Sequence, residues 1–259
     1  MSKQAIGIFD SGVGGTSIWK EIHVLLPHEH TIYLADSINA PYGPKGKEAI
    51  LALSIKNTEY LLSKDCKLIV VACNTATTNA ITYLRAQYNV PIIGIEPAIK
   101  PAALQTQTHA VGILATKGTL SSALFSKTAT LFAKDVTIVE QIGDGIVELI
   151  EAGKLHTEAM KLLLKDYLEP MIKANIDYLV LGCTHYPYLM PILLELLPKH
   201  VKIIDSGEAV ARQTKAVLKE HNQLNNAMAE PKSQFFTNGN PEVMKTLLGN
   251  GFNVSFLDF

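Results

Sequence analysis

Arginine is scarce in this chain of 259 residues, with one at Arg85 and one at Arg212. A protein that clamps carboxylates or phosphates with several bidentate guanidinium groups is therefore excluded. Cysteine is sparse too: Cys66, Cys73 and Cys183 form no disulfide framework. Without a Cys-x-x-Cys pair they also form no standard zinc site. Neither sign of charge is in excess, with 23 Lys and Arg against 24 Asp and Glu and a net charge of −1. No bulk field points to nucleic acid or to an anionic membrane, and neither is expected as a partner. Long hydrophobic runs are missing as well; no window approaches the roughly 18 apolar residues of a spanning helix. At the amino terminus, Asp10 cuts short the apolar run Ala5 to Phe9, so no signal peptide is expected. The expected compartment is a reduced cytoplasm, where a thiol is free to do chemistry. What is present is ordinary globular composition, 47% hydrophobic and 18% charged, at a length suited to one large or two modest domains.

Short apolar runs alternate with longer amphipathic stretches. Strands are expected at Ala5–Phe9, Thr31–Leu34, Leu68–Ala72, Pro91–Ile95, Ala110–Leu114, Val136–Glu140, Tyr178–Leu181 and Val201–Ile204. Helical patterns lie between them at Gly15–Leu26, Lys47–Ser63, Thr75–Gln87, Gly118–Phe132, Thr157–Ala174 and Tyr188–Leu197. Continuous apolar strands alternating with helices predict parallel sheets covered on both faces, an α/β fold.

The pattern repeats. Leu68-Ile-Val-Val-Ala-Cys73 aligns with Tyr178-Leu-Val-Leu-Gly-Cys183 at an offset of 110 (183 − 73), and the strand at Ile92 with that at Lys202. Gly7-Ile-Phe-Asp aligns with Gly112-Ile-Leu-Ala at 105 (112 − 7), and the strand near Ile32 with that near Thr137. Four strands in one order, twice, predict two homologous lobes, with the five-residue drift absorbed in a loop. A tail from about Glu208 adds a helix, a strand near Gln234–Thr237, a helix at Pro241–Leu248 and a strand at Asn253–Leu257. It is expected to return to the first lobe. The lobes are placed at residues 1–97 with 211–259, and at 98–210; the segment from His221 to Pro231 reads as a flexible loop.

In open α/β sheets, ligands bind beyond the carboxyl ends of the strands. The first strand delivers Asp10-Ser11-Gly12-Val13-Gly14-Gly15-Thr16-Ser17 there. Its glycines read either as a backbone cradle for a phosphate or carboxylate or as a tight turn. A dinucleotide fingerprint fails, because Ser17 stands where a third glycine belongs and Asp10 would repel a pyrophosphate. Asp10, at a strand end beside a helix N-terminus, can stay ionised and serve as a base or orienter. The third strand of each half ends in a cysteine: Cys73 before Asn74-Thr75, and Cys183 before Thr184-His185. One such cysteine reads as a small buried hydrophobe. Two at equivalent positions of a repeat, each at a helix N-terminus that favours the thiolate, read as a pair. Lobes facing each other would aim both thiols at one cleft from opposite sides, as a two-base reaction at one carbon requires. His185 is close enough to tune or shuttle the Cys183 proton. Cys-x-His as half a metal site lacks further ligands, so no metal is expected. Asp36-Ser37, Thr116 with Thr119, and Asp205-Ser206-Gly207 are further polar strand ends. Pro41-Tyr42-Gly43 reads as a turn or as a lid over a ligand. Cys66 falls off the pattern and reads as structural.

Four motifs together resemble glutamate racemase, of the cofactor-independent aspartate/glutamate racemase superfamily. They are Gly7-Ile-Phe-Asp-Ser-Gly-Val-Gly-Gly15, Ala40-Pro-Tyr-Gly43, Val71-Ala-Cys-Asn-Thr75 and Leu181-Gly-Cys-Thr-His-Tyr-Pro187. The resemblance runs on to Asp205-Ser-Gly207. It implies two pseudo-symmetric lobes of mainly parallel sheets flanked by helices, with the active site in the cleft between them. It further implies a homodimer that interconverts L- and D-glutamate for peptidoglycan synthesis without cofactor or metal. Carried over, Cys73 and Cys183 are the acid/base thiols, Asp10 supports the first, His185 the second, and Glu151 is a supporting carboxylate. Without the resemblance, Glu151 reads as a solvated helix-end residue. The implied substrate contacts are Asp10, Ser11, Pro41, Tyr42, Gly43, Asn74, Thr75, Thr184 and His185. Two other readings stand beside this one. The first is a superfamily enzyme acting on aspartate, a hydantoin or a malonate, against which the paired cysteines and the DSGVGG and PYG details count. The second is a two-lobe protein that merely clamps an amino acid, against which the symmetry-related thiols count.

Overall fold

The computed structural model describes residues 4–133, 135–225 and 231–259. Its strands are β1 (Ile6–Asp10), β2 (Thr31–Ala35), β3 (Leu68–Val71), β4 (Ile92–Gly94) and β5 (Ala110–Ala115). They continue with β6 (Thr137–Ile142), β7 (Tyr178–Gly182), β8 (Lys202–Ile204), β9 (Ser233–Thr237) and β10 (Val254–Phe256). All pair in parallel, in two sheets ordered β10-β9-β2-β1-β3-β4 and β6-β5-β7-β8. Every residue of β1, β2, β3, β5 and β7 is buried, which is why these segments read as unbroken apolar runs. The edge strands β6 and β8 expose Thr137, Glu140 and Lys202.

The two sheets share one strand order, β2-β1-β3-β4 matching β6-β5-β7-β8. Ile6 faces Leu68 and Val111 faces Tyr178, so the inner strand pairs keep offsets of 105 (111 − 6) and 110 (178 − 68) in exact register. The flanking strands slip slightly. Ile6 faces Thr31 but Val111 faces Ile138, an offset of 107 (138 − 31) where alignment gives 105. Ile69 faces Ile92 but Leu179 faces Ile203, an offset of 111 (203 − 92) against 110. The inner pairs, which carry Asp10, Cys73 and Cys183 at or just beyond their ends, are the ones held constant.

The helices are α1 (Thr16–Leu25), α2 (Lys47–Ser63), α3 (Asn74–Gln87), α4 (Ile99–Gln105), α5 (Lys117–Leu120) and α6 (Ala123–Phe132). Then come α7 (Ile146–Glu151), α8 (Glu158–Lys173), α9 (Met190–Leu196), α10 (Gly207–Glu220) and α11 (Pro241–Leu248). Three expectations need correction. The helix expected over Gly118–Phe132 is two, α5 and α6, because the Ser122 hydroxyl accepts the Phe125 N–H at 3.2 Å and caps a fresh start. The helix expected over Tyr188–Leu197 opens as a 3₁₀ turn, Tyr186–Leu189, before α9; Pro187 and Pro191 remove the N–H groups a single α-helix would use. The short helices α4 and α7 were not expected, since six or seven residues carry too little periodicity to be read.

In the tail, α10 packs on α1, and β9 and β10 extend the first sheet beyond β2. Of the loop expected from His221 to Pro231, residues 226–230 lie outside the described set, as do residues 1–3. A buried ion pair pins the start of this return. Lys67 Nζ lies 2.6 Å from Glu29 Oε2, with side-chain exposures of 0% and 1%, and also donates to the Gln223 carbonyl at 2.8 Å. The Asn225 N–H donates to the other Glu29 oxygen at 2.7 Å. Removing one member strands a charge in the core, so Lys67→Ala should lower the urea-derived stability by about 3 kcal/mol or more. A loss under about 1 kcal/mol contradicts this account.

Candidate active site

Strand β1 ends at Asp10 with its carboxylate fully buried. One oxygen accepts the Ser11 N–H at 2.7 Å; the other accepts the Gly15 N–H at 2.5 Å and the Thr184 hydroxyl at 3.0 Å. Burial raises its pKa above the ordinary value, against the opposing pull of His185 and these three bonds. Asp10 does not touch Cys73 directly. The Cys73 thiol donates to Ser11 Oγ at 3.6 Å, and that hydroxyl lies 3.4 Å from Asp10 Oδ1. Ser11 can thus turn its proton from the carboxylate to the sulfur once the thiol is deprotonated. Cys73 is also the N-cap of α3, its sulfur accepting the Ala76 N–H at 3.4 Å. Burial, and then the Asp10 charge, hold this thiol well above its usual pKa despite both donors. The helix terminus alone does not make it a thiolate, contrary to the simple expectation for a helix N-terminus.

Cys183, just beyond β7, has a different partner. His185 Nδ1 lies 3.7 Å from its sulfur, and His185 Nε2 lies 2.6 Å from Glu151 Oε1. Burial alone would lower the imidazole pKa, but the hydrogen bonds to Cys183 and Glu151, with the charges they carry, raise it well above normal. The ring sits between a sulfur and a carboxylate, both of which favour its protonated form, and its Nε2 also lies 3.3 Å from the Gly14 N–H. Glu151, the last residue of α7, is not a solvated helix-end residue. Its Oε1 also accepts the Val13 N–H at 2.6 Å, and its Oε2 accepts the Ser37 hydroxyl at 2.8 Å.

The glycines of the first turn are explained by what faces them. Gly12, Gly14 and Gly15 are absent from the positive-φ residues, so left-handed backbone is not the reason for them. A Cβ on Gly12 would overlap the Glu151 carboxylate, and one on Gly14 would overlap the His185 ring. On Gly15 it would approach Asp10 Cβ to 2.7 Å and the Tyr33 hydroxyl to 2.9 Å. Neither the anion cradle nor the bare tight turn accounts for this. The turn is stripped of side chains so that two residues of the other lobe can press against it.

Asn74 and Thr75 open α3 and are nearly buried, and the Asn74 side-chain nitrogen has no hydrogen-bond partner. Across the cleft, Thr116 Oγ1 lies 2.9 Å from Thr75 Oγ1 and 3.0 Å from Thr119 Oγ1. The sequence offers Thr116 and Thr119 as polar candidates at a strand end but does not place them opposite Thr75. Pro41, whose peptide bond with Ala40 is cis, and Gly43 flank Tyr42. The Tyr42 side chain is turned away: it is buried, donates to Asp36 at 2.5 Å and accepts from Asn57 at 3.2 Å. Only the Tyr42 backbone is left to face a substrate. Cys66 lies apart, its thiol pushed up to about 12, chiefly by burial. Among the described residues, no group of three or more His, Cys, Asp and Glu side chains is placed to hold a metal ion.

Residues 15–214 match the family model described as Asp/Glu/Hydantoin racemase. The glutamate racemase of Herpetosiphon aurantiacus is 45% identical over 241 residues, 93% of this chain and 95% of that one. The chain belongs to the glutamate racemase family. Solved structures of such racemases superpose along nearly the whole chain. One is an isoform from Bacillus anthracis, with TM-score 0.87 and 31% identity, covering 98% of this chain and 97% of that one. Another is the Escherichia coli enzyme in complex with L-glutamate and the activator UDP-MurNAc-ala, with TM-score 0.87, 34% identity and the same coverages.

Two outcomes follow for a racemase-family site of this geometry. Gly12→Ala should cost at least about 100-fold in turnover, because the new methyl displaces Glu151 from His185; a variant within threefold of the parent contradicts the steric account. The raised His185 pKa means the folded state holds a proton that the unfolded chain releases above its ordinary pKa of 6.5. This contribution is complete below that pH and is lost as pH rises toward the folded-state value. The urea midpoint of the parent minus that of His185→Gln should therefore fall between pH 6.5 and 8.5. A flat difference refutes the imidazolium.

Proposed function

We propose that this chain is a glutamate racemase that interconverts L- and D-glutamate with Cys73 and Cys183 as its two acid/base thiols. The observation that carries the reading is the pair of buried cysteines at equivalent strand ends of two facing lobes. Each has its own proton-handling partner: Ser11 and Asp10 for one, His185 and Glu151 for the other. The substrate named for the E. coli relative is L-glutamate, and the relatives that match nearly full length are glutamate racemases. The product, D-glutamate, supplies peptidoglycan synthesis and so cell-wall biogenesis and cell shape.

The geometry supports a two-thiol reaction. With glutamate between the lobes, one sulfur takes the α-proton from one face: the Cα–H bond breaks, an S–H bond forms, and the electron pair stays on the substrate. The opposite thiol then gives its proton to the other face, and the chirality inverts. The enzyme is left with its two sulfurs in exchanged protonation states, and proton exchange with solvent resets it. An α-proton beside an ammonium and a carboxylate is far less acidic than a thiol. Preorganised donors must therefore stabilise the developing charge where water is excluded. Asn74, Ser11 and Thr184, beside the two sulfurs, are suited to the α-carboxylate and ammonium. Thr75, Thr116 and Thr119, with the backbone of Tyr42 and Gly43, are suited to the side-chain carboxylate. These hydroxyl, amide and backbone donors do the work that the missing arginines cannot. A raised thiol pKa at Cys73 keeps its proton available for donation, and the nearby imidazolium offers a positive counterpart when charge builds at Cys183.

The proposed lobes are residues 1–97 with 211–259, and 98–210; the second crossing falls within the first turn of α10, which packs on α1. Three free, buried cysteines suit a reduced cytoplasm, and among the described residues no helix is long and apolar enough to cross a membrane. The family relation supports a homodimer, which sedimentation at micromolar concentration tests.

Incubated in D2O without added cofactor, each glutamate enantiomer should gain solvent deuterium at Cα as it converts. Conversion without that label would sink the two-thiol scheme. Cys73→Ser and Cys183→Ser should each cost at least about 100-fold in turnover, measured by optical rotation, and either variant retaining parental activity refutes its assignment. L-Aspartate should not racemise at a comparable rate; if it does, the substrate assignment is wrong.

A further inference from the structure

The contacts across the cleft differ between its two rims. One rim is stitched by side chains. Glu151 accepts from Val13 N–H and Ser37, the Thr16 and Tyr188 hydroxyls meet at 2.6 Å, Ser17 donates to the Thr184 carbonyl at 2.9 Å, and Thr184 donates to Asp10. At the opposite rim the hydroxyl pair Thr75 and Thr116 crosses, and beside it bare backbone meets bare backbone. A Cβ on Gly118 would lie 2.8 Å from Thr75 Cγ2, 3.1 Å from the Gly43 carbonyl oxygen and 3.2 Å from Gly43 Cα. Seen from the other side, a Cβ on Gly43 would lie 3.3 Å from Thr116 Cβ.

Backbone conformation does not require glycine at Gly118: it is helical, within α5, and is not among the positive-φ residues. Alanine is the better helix former there, so glycine is locally unfavourable and the close approach is what it serves. The shortest contact a methyl would make, 2.8 Å, is to the Thr75 methyl, and the two backbone atoms of Gly43 at 3.1 and 3.2 Å close off the space into which the new group could shift.

We propose that Gly118 is a positioning residue for racemisation: its bare Cα lets the second lobe close onto Gly43 and draws the Thr75, Thr116 and Thr119 hydroxyls into one cluster around the substrate's side-chain carboxylate. This rests on the racemase reading above. It makes the Gly43–Gly118 rim the side on which the cleft opens and shuts, with the Thr16–Tyr188 seam as its pivot. Closure is limited by the approach of Gly118 to the Thr75 methyl and the Gly43 backbone together, so the separation of the carboxylate-binding hydroxyls from the thiols is set for one side-chain length.

The test is the steady-state kinetics of Gly118→Ala in both directions. KM for glutamate should rise at least about tenfold, with a smaller change in kcat, because carboxylate binding is lost before the thiols are displaced. The melting temperature should stay within about 2 °C of the parent, since parting the rim relieves the clash without unfolding. Gly46→Ala is the control, for a Cβ there meets nothing within 4 Å, and it should leave KM within twofold. Adding Thr75→Ser removes the methyl nearest the new Cβ and should recover at least threefold of the lost KM. A purely local effect on the short helix would not respond to that change. The proposal is overturned by a KM within twofold of the parent in Gly118→Ala, or by a raised KM that Thr75→Ser does not relieve. If the parent does not racemise glutamate, the racemase reading itself falls, and small-angle scattering still decides closure. A larger radius of gyration in Gly118→Ala supports it, and identical values overturn it.

Discussion

The rest of the site depends on the close approach of a side-chain-free turn from one lobe to a carboxylate and an imidazole from the other. Gly12 and Gly14 leave room for Glu151 and His185, and the Val13 N–H between them bonds Glu151 directly. The same few residues present Asp10 and Ser11 toward Cys73. One turn therefore sets the surroundings of both thiols, and a side chain added at Gly12 or Gly14 would disturb the half-site of the opposite lobe before its own.

The two half-sites are related by the repeat yet chemically unequal. Cys73 faces a carboxyl group through a hydroxyl, while Cys183 faces an imidazole backed by a second carboxyl group. Burial acts on the two differently: it raises the pKa of the Cys73 thiol, whereas at His185 it opposes a rise that the bonds to Cys183 and Glu151 produce. A racemase must handle two mirror-related substrates with near-equal ease, and the two cysteines here have different neighbours on sheets of one strand order. The exact register of the inner strands matters for this reason. β1 with β3 and β5 with β7 place the thiols, whereas the flanking strands slip by one or two residues without consequence for them.

Much of this was legible in the sequence. The apolar runs at Ile6, Leu68, Val111 and Tyr178 announce strands buried on both faces, and the 110-residue offset between Cys73 and Cys183 announces their equivalence. The misses have physical causes. α7 is a six-residue helix with no readable period, so nothing local brings Glu151 toward His185, 34 residues away. Ser122 ends one helix and caps the next, a side-chain choice that apolar spacing does not record. Tyr42 lies within a motif that resembles a substrate loop, but its hydroxyl goes to Asp36 beneath it; motif membership says nothing about which way a side chain turns. Thr116 and Thr119 read in the sequence only as polar residues at a strand end, because nothing local places Thr75 opposite them.

By itself the sequence determined the α/β class, the doubled strand order and the equivalent strand-end positions of Cys73 and Cys183, because each is written in local periodicity and in a repeat that needs no partner to be read. Only the tertiary structure decided what each thiol feels. Ser11 mediates between Asp10 and Cys73, Glu151 rather than solvent meets His185, and the glycines at 12, 14 and 118 mark the places where two lobes touch. A hydrogen bond or a steric stop between residues a hundred positions apart leaves no trace in the spacing of either segment. It exists once both lobes have folded and met.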